Sequence, residues 1–265
     1  MATIGVFDSG VGGLSVLREL MKVLPKERFI YFSDNAYCPY GNREPSFIID
    51  RARAVSESLL HDGADVIVVA CNTATAAAIA TLRNEYSSPC ERVKELTGGR
   101  KDRVSFVGME PAVKPAALGT KSGVIGVLAT AGTLTGSKYL DMKSHYVDDV
   151  KIVEHVGKGF VELVEKGELD GERCERVVRG SVEPILEAGA DTIVLGCTHY
   201  PFLAEVISRI AGPDVKIIDP APAVARRLCN VIKEESILTG GGEGKVTLKS
   251  SGPDDALKRT FALIF

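Results

Sequence analysis

Two cysteines stand at equivalent positions of a duplicated segment. Gly63 to Thr75 reads GADVIVVACNTAT and Gly189 to His199 reads GADTIVLGCTH, and Cys71 and Cys197 are 126 residues apart, as are the glycines that begin the two copies. In each copy a β-branched run typical of a buried parallel strand ends at the cysteine. The carboxyl ends of strands in an open α/β sheet are where ligands bind, so the duplication predicts two thiols in one crevice.

Two facing thiols are suited to acid–base chemistry at a single carbon. A thiolate on one face removes a proton while a thiol on the opposite face returns another, which inverts the centre. Asn72 and Thr73 follow the first cysteine, and Thr198 and His199 follow the second. A helix that began there would favour thiolate, so we expect lowered cysteine pKa values. A single cysteine more often packs as a small apolar residue, and the matched pair is what favours function.

A glycine-rich turn follows the first predicted strand, Thr3 to Phe7. The turn runs from Asp8 to Gly13 and matches neither a dinucleotide fingerprint nor a P-loop, which argues against a nucleotide site. Asp8 ends the strand, where it would meet the ammonium group of a ligand or a neighbouring acid/base group. Its alternative role is to cap the helix that follows.

A second polar loop, Asp34 to Asn42, follows the predicted strand Arg28 to Ser33. Loops of this kind at a strand's carboxyl end often carry binding groups. Tyr40 and Gly41 would offer a phenol and a closely approaching backbone N–H, or form an ordinary Pro-x-Gly turn.

Strands and helices alternate along the chain, which predicts a parallel α/β fold. The duplication predicts two similar parallel-sheet domains related by pseudo-twofold symmetry, with the active site in the cleft between them. The boundary is predicted at Ser87 to Arg103, where a Ser-Ser-Pro sequence and two glycines occur. The predicted first domain is residues 1–97 plus 207–265, and the second is residues 98–206.

The second sheet is predicted to begin with the strands Val104 to Val107 and Ser122 to Leu128. A turn at Met109-Glu110-Pro111 follows the first of them. Thr130, after the other, takes the place that Asp8 has in the first half. A strand that begins at Lys245 is expected at a sheet edge, where the tail would complete the first domain.

Composition excludes several classes of protein. The chain has 265 residues, 45% of them hydrophobic, with 32 basic and 35 acidic residues and no basic block, so we expect no nucleic-acid partner. Its six cysteines show no C-x-x-C spacing, which argues against a disulfide scaffold or a zinc motif. We found no signal peptide, and the apolar runs are too short to span a bilayer, so a soluble, cytoplasmic protein is expected.

Four motifs occur in a fixed order: DSGVGG at Asp8 to Gly13, SDNAYCPYG at Ser33 to Gly41, ACNTAT at Ala70 to Thr75 and GCTHYPF at Gly196 to Phe202. They closely resemble the glutamate racemases of bacterial cell-wall synthesis, and the resemblance covers nearly the whole chain. It implies interconversion of L- and D-glutamate with no cofactor and no metal, by a homodimer with Cys71 and Cys197 as the catalytic pair. The substrate contacts that it implies are Asp8, Ser9, Tyr40, Gly41, Asn72, Thr73, Thr198 and His199.

Three further residues complete the catalytic set that the resemblance implies. Asp8 and His199 would assist the thiols, since an imidazole beside Cys197 can hydrogen-bond the sulfur or the substrate. The family often has an accessory acidic residue on a helix, where this chain reads HVGKGFVELVEKG. Glu165 aligns best with it, and Glu154 and Glu162 are the alternatives.

Three other functions stay open on the residues alone. The spacing does not measure the length of a substrate side chain, so aspartate or another amino acid could be the substrate of a racemase. A crevice between two domains also suits a non-catalytic amino-acid-binding protein. A cysteine hydrolase would need only one nucleophile and would leave the second thiol unexplained.

Overall fold

Nine strands are found in the computed structural model, which describes residues 1–109 and 112–265. They are β1 (Thr3–Asp8), β2 (Arg28–Ser33), β3 (Val66–Val69), β4 (Ser105–Gly108), β5 (Val124–Ala129), β6 (Lys151–Val156), β7 (Thr192–Gly196), β8 (Lys216–Ile218) and β9 (Val246–Ser250).

Helices connect these strands and cover both faces of the sheets. Over the same described residues they are α1 (Leu14–Val23), α2 (Pro45–His61), α3 (Asn72–Tyr86), α4 (Glu91–Leu96), α5 (Val113–Gly119), α6 (Ala131–Leu134), α7 (Ser137–Ser144), α8 (Phe160–Lys166), α9 (Glu172–Glu187), α10 (Ala204–Ala211), α11 (Ala221–Glu234) and α12 (Asp255–Ile264). The predicted alternation of strands and helices is confirmed.

The two sheets repeat one topology. The first has the order β4-β3-β1-β2-β9 and the second β6-β5-β7-β8, and the strands of each pair in parallel. If the second order is read backwards, β8, β7, β5 and β6 take the places of β4, β3, β1 and β2. The strands that precede Cys71 and Cys197 are therefore equivalent, and the predicted pair of similar parallel-sheet units is confirmed.

Burial on both faces explains why these segments are strands. Every residue of β1, β3 and β7 is buried, and their sequences are TIGVFD, VIVV and TIVLG. Such unbroken apolar runs suit parallel strands covered by helices on both sides. The end of each of these strands therefore coincides with the end of a fully buried segment.

One strand prediction is wrong. The segment predicted as Val104 to Val107 in the second sheet forms β4, which pairs with β3 at the edge of the first sheet, from Val66 opposite Ser105 to Val69 opposite Gly108. The duplication held the missing signal, because β4 follows the first thiol strand through a helical connection just as β8 follows the second. The Met109-Glu110-Pro111 turn falls partly on residues 110 and 111, outside the described residues.

Strand membership also bears on the predicted domain limits. Although β8 lies in the segment 207–265, it pairs with β7 in the second sheet. The domain limits remain a proposal. The pairing favours moving the first limit from residue 97 to the connection after β4, and the second from residue 206 to the connection after β8. The predicted return of the tail is confirmed, because β9 pairs in parallel with β2 at the edge of the first sheet.

Among the described residues, no helix combines the length and the apolar character needed to cross a bilayer.

Candidate active site

The carboxyl ends of β1, β3 and β7 meet at one place. Asp8 is the last residue of β1, Cys71 lies two residues beyond the end of β3, and Cys197 directly follows β7. A hydrogen bond joins the two sheets here, because Thr198 Oγ1 donates to Asp8 Oδ2 over 2.8 Å. The carboxyl ends of inner strands from the two sheets therefore meet, which is the arrangement that the duplication predicts.

Cys71 caps the N-terminus of α3. Its sulfur accepts a hydrogen bond from the backbone N–H of Ala74 at 3.4 Å and lies 3.9 Å from Ser9 Oγ. The residue is only 5% exposed. Burial raises the pKa of the Cys71 thiol well above its ordinary value, and the charge of Asp8 raises it further. The expected lowering is wrong for Cys71, because the hydrogen bond at the helix N-terminus is outweighed by lost hydration.

Asp8 is a fully buried carboxyl group between the two thiol loops. Its Oδ1 accepts from the backbone N–H of Ser9 at 2.6 Å and from Ser9 Oγ at 3.3 Å, while Oδ2 accepts from Thr198. Burial raises the pKa of Asp8, although the charge of His199 and the hydrogen bond from Thr198 oppose this. A carboxyl group with a raised pKa next to a thiol can take and return a proton.

His199 lies between Cys197 and Glu165. Its Nδ1 is 3.7 Å from Cys197 Sγ, and its Nε2 is 2.7 Å from Glu165 Oε1. Burial lowers the pKa of this histidine, but hydrogen bonds with Cys197, Cys38 and Glu165 more than offset it and raise the pKa well above the ordinary value. The imidazole therefore faces the Cys197 sulfur on one side and the Glu165 carboxyl group on the other.

Glu165 is a contact point between α8 and the glycine-rich turn. Its Oε1 accepts from the backbone N–H of Val11 at 2.8 Å and from Cys38 Sγ at 3.7 Å, in addition to His199. Burial raises the pKa of Glu165, but the hydrogen bond and the charge of His199 outweigh it, so the pKa lies below the ordinary value. Contact with His199 therefore favours the ionised form of this carboxyl group.

The two alternative glutamates lie elsewhere. Glu154 Oε1 accepts hydrogen bonds from Tyr139 Oη and Lys143 Nζ, both at 2.7 Å. Glu162, in the first turn of α8, lines a cavity of about 220 Å³ next to Gly41 and Thr130. Among the three predicted candidates, Glu165 is the one that contacts His199.

Tyr40 and Gly41 lie in the loop after β2, and each contacts another part of the chain. Tyr40 is buried, and its hydroxyl donates to Asp34 Oδ2. Arg51 fixes the same carboxylate from the other side, with Nε 2.9 Å from Oδ2 and Nη2 2.8 Å from Oδ1. A Cβ at Gly41 would lie 3.1 Å from the Cβ of Thr130, so the loop from the first sheet touches the turn after β5.

Polar groups at the start of α3 face the second sheet. Thr73 Oγ1 lies 2.9 Å from Thr130 Oγ1 and 3.4 Å from Thr133 Oγ1. The side-chain nitrogen and oxygen of Asn72 are buried and have no hydrogen-bond partner among the described residues. Buried polar atoms are normally paired, so the Asn72 amide is available to a bound ligand.

Three features of the site were missed in the sequence. Asp34 and Arg51 orient Tyr40, and Cys38 contacts Glu165. The signal for Asp34 and Cys38 was their place in the SDNAYCPYG motif after β2, whereas Arg51 lies within α2, where no distinguishing pattern marks it. The hydroxyl of Thr133 belongs to a turn that the sequence matched to the Asp8 turn through Thr130 alone.

Hydrogen bonds join the predicted contacts Asp8, Ser9 and Thr198 to one another, and His199 lies beside the Cys197 sulfur. Residues 4–228 match the model of the Asp/Glu/Hydantoin racemase family. The chain belongs to this family. This racemase-family chain is 46% identical over 263 residues to the glutamate racemase of Methylococcus capsulatus, with 99% of this chain and 91% of that protein covered.

Solved structures of racemases share the fold. A glutamate racemase from Escherichia coli, in complex with L-glutamate and the activator UDP-MurNAc-ala, has a TM-score of 0.84 and 29% identity, with 99% of this chain and 95% of that one covered. A Francisella tularensis glutamate racemase in complex with D-glutamate has a TM-score of 0.78 and 26% identity, with 99% and 93% covered. The resemblance predicted from the four motifs is confirmed.

Proposed function

We propose that the chain is a cofactor-independent glutamate racemase in which Cys71 and Cys197 act on opposite faces of the substrate α-carbon. The observation that carries this proposal is that equivalent strands of two repeated sheets each end in a cysteine at one shared cleft. A single-thiol reaction gives no reason for that symmetry. Relatives solved with L-glutamate and with D-glutamate support the choice of substrate.

The reaction is balanced within the thiol pair. The thiolate of one cysteine takes the α-proton and becomes a thiol, leaving a carbanion that the adjoining carboxylate of the substrate delocalises. The thiol of the other cysteine then gives its proton to the opposite face and becomes the thiolate. The enantiomer has formed, and the two sulfurs have exchanged protonation states, so the same site runs the reaction in either direction.

Each thiol has a titratable neighbour of its own. The charge of Asp8 raises the pKa of Cys71, and His199 Nδ1 lies 3.7 Å from the Cys197 sulfur. In this proposal Asp8 sets the charge of the first thiol, and the His199–Glu165 pair sets the charge of the second.

Polar groups around the thiols would hold the substrate. We assign the ammonium and carboxylate groups of glutamate to the predicted contacts, whose members are Asp8, Ser9, Tyr40, Gly41, Asn72, Thr73, Thr198 and His199. The unpaired buried amide of Asn72 supports this assignment, because a ligand would satisfy it.

The wider setting follows from the family. We propose that the D-glutamate enters peptidoglycan precursors, that the chain acts in the cytoplasm and that it forms a homodimer. All six cysteines are unpaired, which is consistent with a reducing compartment.

Chiral chromatography of L-glutamate incubated with dialysed enzyme in deuterated water tests the function. We expect the two enantiomers to approach equal amounts, with deuterium at the α-carbon of the product. Glutamate that keeps its configuration would contradict the proposal, and a panel with aspartate and other amino acids would show whether another substrate is preferred.

The thiol variants test the mechanism. Cys71→Ala and Cys197→Ala should each lower racemisation by at least about 10²–10⁴-fold, because each removes one acid–base group. Each variant should still exchange the α-proton of one enantiomer, and the two variants should prefer opposite enantiomers. Cys174→Ala, which removes a buried cysteine of α9, is the matched control. Loss of racemisation in only one catalytic variant would contradict a symmetric pair.

A further inference from the structure

Cys38, Glu165 and His199 form a cluster of three different metal-binding side chains. One ligand atom from each, a sulfur, a carboxylate oxygen and an imidazole nitrogen, lies within 4.8 Å of the other two. The proposed reaction uses Glu165 and His199 but gives no role to Cys38. We propose that these three side chains bind a divalent cation of the zinc class, and that the bound ion inhibits the enzyme.

The distances are close to those of a tetrahedral zinc site. Zinc lies about 2.3 Å from a thiolate sulfur and about 2.0–2.2 Å from imidazole nitrogen and carboxylate oxygen, so neighbouring ligands are roughly 3.3–3.6 Å apart. Cys38 Sγ is 3.7 Å from Glu165 Oε1, which already fits. His199 Nε2 is 2.7 Å from the same oxygen, and the two atoms must separate by at least about 0.6 Å to admit the ion.

Contacts outside the cluster orient two of the three ligands. Nδ1 of His199 faces Cys197, which leaves Nε2 toward Glu165. Glu165 Oε1, the oxygen that faces the other two ligands, also accepts a hydrogen bond from the backbone N–H of Val11. Outer contacts of this kind orient metal ligands in proteins and raise affinity.

Charge and access also favour a cation. A thiolate and a carboxylate together neutralise a dication, and the neutral imidazole completes a set of soft and borderline donors that zinc prefers. The Glu165 side chain is 21% exposed, so solvent reaches the cluster and water can supply the fourth ligand. The cluster therefore has three protein ligands and one position for water, which is the composition of a zinc site whose fourth ligand can be replaced.

Inhibition follows from the atoms that the ion would occupy. A metal on His199 Nε2 and Glu165 Oε1 would separate these two atoms, which lie 2.7 Å apart, and would shift the imidazole whose Nδ1 faces the Cys197 sulfur. This part of the inference rests on the proposed function. The binding of the ion is independent of the proposed function, because it requires only the three ligands.

Cobalt provides a readout of binding that is independent of activity. Titration of the wild type with CoCl₂ should give a thiolate-to-cobalt charge-transfer absorption that saturates at one ion per chain, and ZnCl₂ should abolish it. Cys38→Ser should lack the band and bind zinc at least about 10–100-fold more weakly. Cys229→Ser, a partly buried cysteine outside the cluster, is the matched control and should keep both.

The inhibition assay uses the same proteins. Zinc should inhibit wild type and Cys229→Ser, and EDTA should restore their activity. For each protein the rate is compared with the rate of that protein without metal. On this scale, Cys38→Ser should need at least about tenfold more zinc than wild type for the same fractional inhibition. A cobalt band that persists in Cys38→Ser would overturn the proposal, because the metal would then be on Cys71 or Cys197. Absence of any band in the wild type would overturn it as well. A normal band in a chain that racemises nothing would leave the metal site standing and refute the proposed function.

Discussion

Thr198 Oγ1 donates a 2.8 Å hydrogen bond to Asp8 Oδ2, which ties the residue after the second thiol to the end of the first strand. Both residues are buried, and the bond is made between the two sheets. The halves of the cleft are therefore held in register by a polar contact at their centre, next to both sulfurs.

Removal of that hydroxyl should cost both stability and activity. Thr198→Val leaves a buried carboxyl oxygen without its donor, and we expect the free energy of unfolding to fall by about 1–3 kcal/mol. Urea denaturation measures the loss, and turnover should fall as well. Thr135→Val, which removes an exposed hydroxyl from the end of α6, is the control and should change unfolding by less than about 0.5 kcal/mol. Equal effects of the two substitutions would contradict a special role for the Thr198–Asp8 contact.

The His199–Glu165 pair should stabilise the fold in a defined pH window. The pKa of His199 is raised above 6.5, so its contribution is full below pH 6.5 and is lost as the pH rises through the folded-state pKa. The pKa of Glu165 is lowered below 4.5, so its contribution is full above pH 4.5 and is lost as the pH falls through the folded-state pKa. Both are complete between pH 4.5 and 6.5.

The measurement is urea denaturation of wild type and His199→Gln across that range. The difference in unfolding free energy should be largest between pH 4.5 and 6.5, at about 1–3 kcal/mol, and should shrink on either side. His61→Gln, an exposed histidine at the end of α2, should show no such maximum. A difference that does not vary with pH would show that His199 acts through packing alone.

Arg51 should act on substrate binding through Tyr40. It holds Asp34 with two hydrogen bonds, and Asp34 accepts from the Tyr40 hydroxyl. Arg51→Met removes the charged partner, and we expect KM for glutamate to rise by roughly tenfold as the loop loses its fixed position. Arg53→Met, which removes another guanidinium of α2, paired with Glu85 of α3, is the control and should leave KM within about twofold. An unchanged KM in Arg51→Met would refute this positioning role.

Gly12 should tolerate no side chain. A Cβ there would lie 2.5 Å from His199 Nδ1 and 2.7 Å from Thr198 Oγ1, both of which are buried side chains from the second sheet. Gly12→Ala should therefore push the sheets apart, lower unfolding free energy by about 1–3 kcal/mol and lower turnover.

Gly180→Ala is the matched control, because nothing lies within 4 Å of its Cβ position in α9. An alanine inside a helix should raise stability by up to about 1 kcal/mol. Thermal unfolding of the two variants should therefore shift in opposite directions. A neutral Gly12→Ala would contradict the close approach of the two sheets at this turn.

Ligands bind at the carboxyl ends of strands in an open α/β sheet, and this rule explains how much of the site the sequence could predict. Asp8, Cys71 and Cys197 follow runs whose burial is visible in their composition, so their convergence needed no knowledge of distant contacts. The pKa of Cys71 could not be predicted in the same way, because it depends on burial and on Asp8, which approaches from another strand. The Arg51–Asp34–Tyr40 and Cys38–Glu165 contacts join segments that carry no shared pattern.

The misassigned β4 has a related cause. Its sequence indicates a strand but not a partner, and a boundary drawn at the glycine-rich segment before it suggested the wrong sheet. In the structure β4 pairs with β3 at the edge of the first sheet, and α4, which precedes β4, packs against α2 of the same half. The duplication, applied to the whole unit of strand, helix and strand, would have given the correct answer.

The position of β9 has a consequence for synthesis of the chain. The outer edge of β2 is covered by residues 246–250, so it has no neighbour while the ribosome is still producing the second sheet. An unpaired strand edge is a template for association with other chains. Chains released or cleaved before this point would carry that exposed edge, and they are the ones we expect to aggregate in the cell.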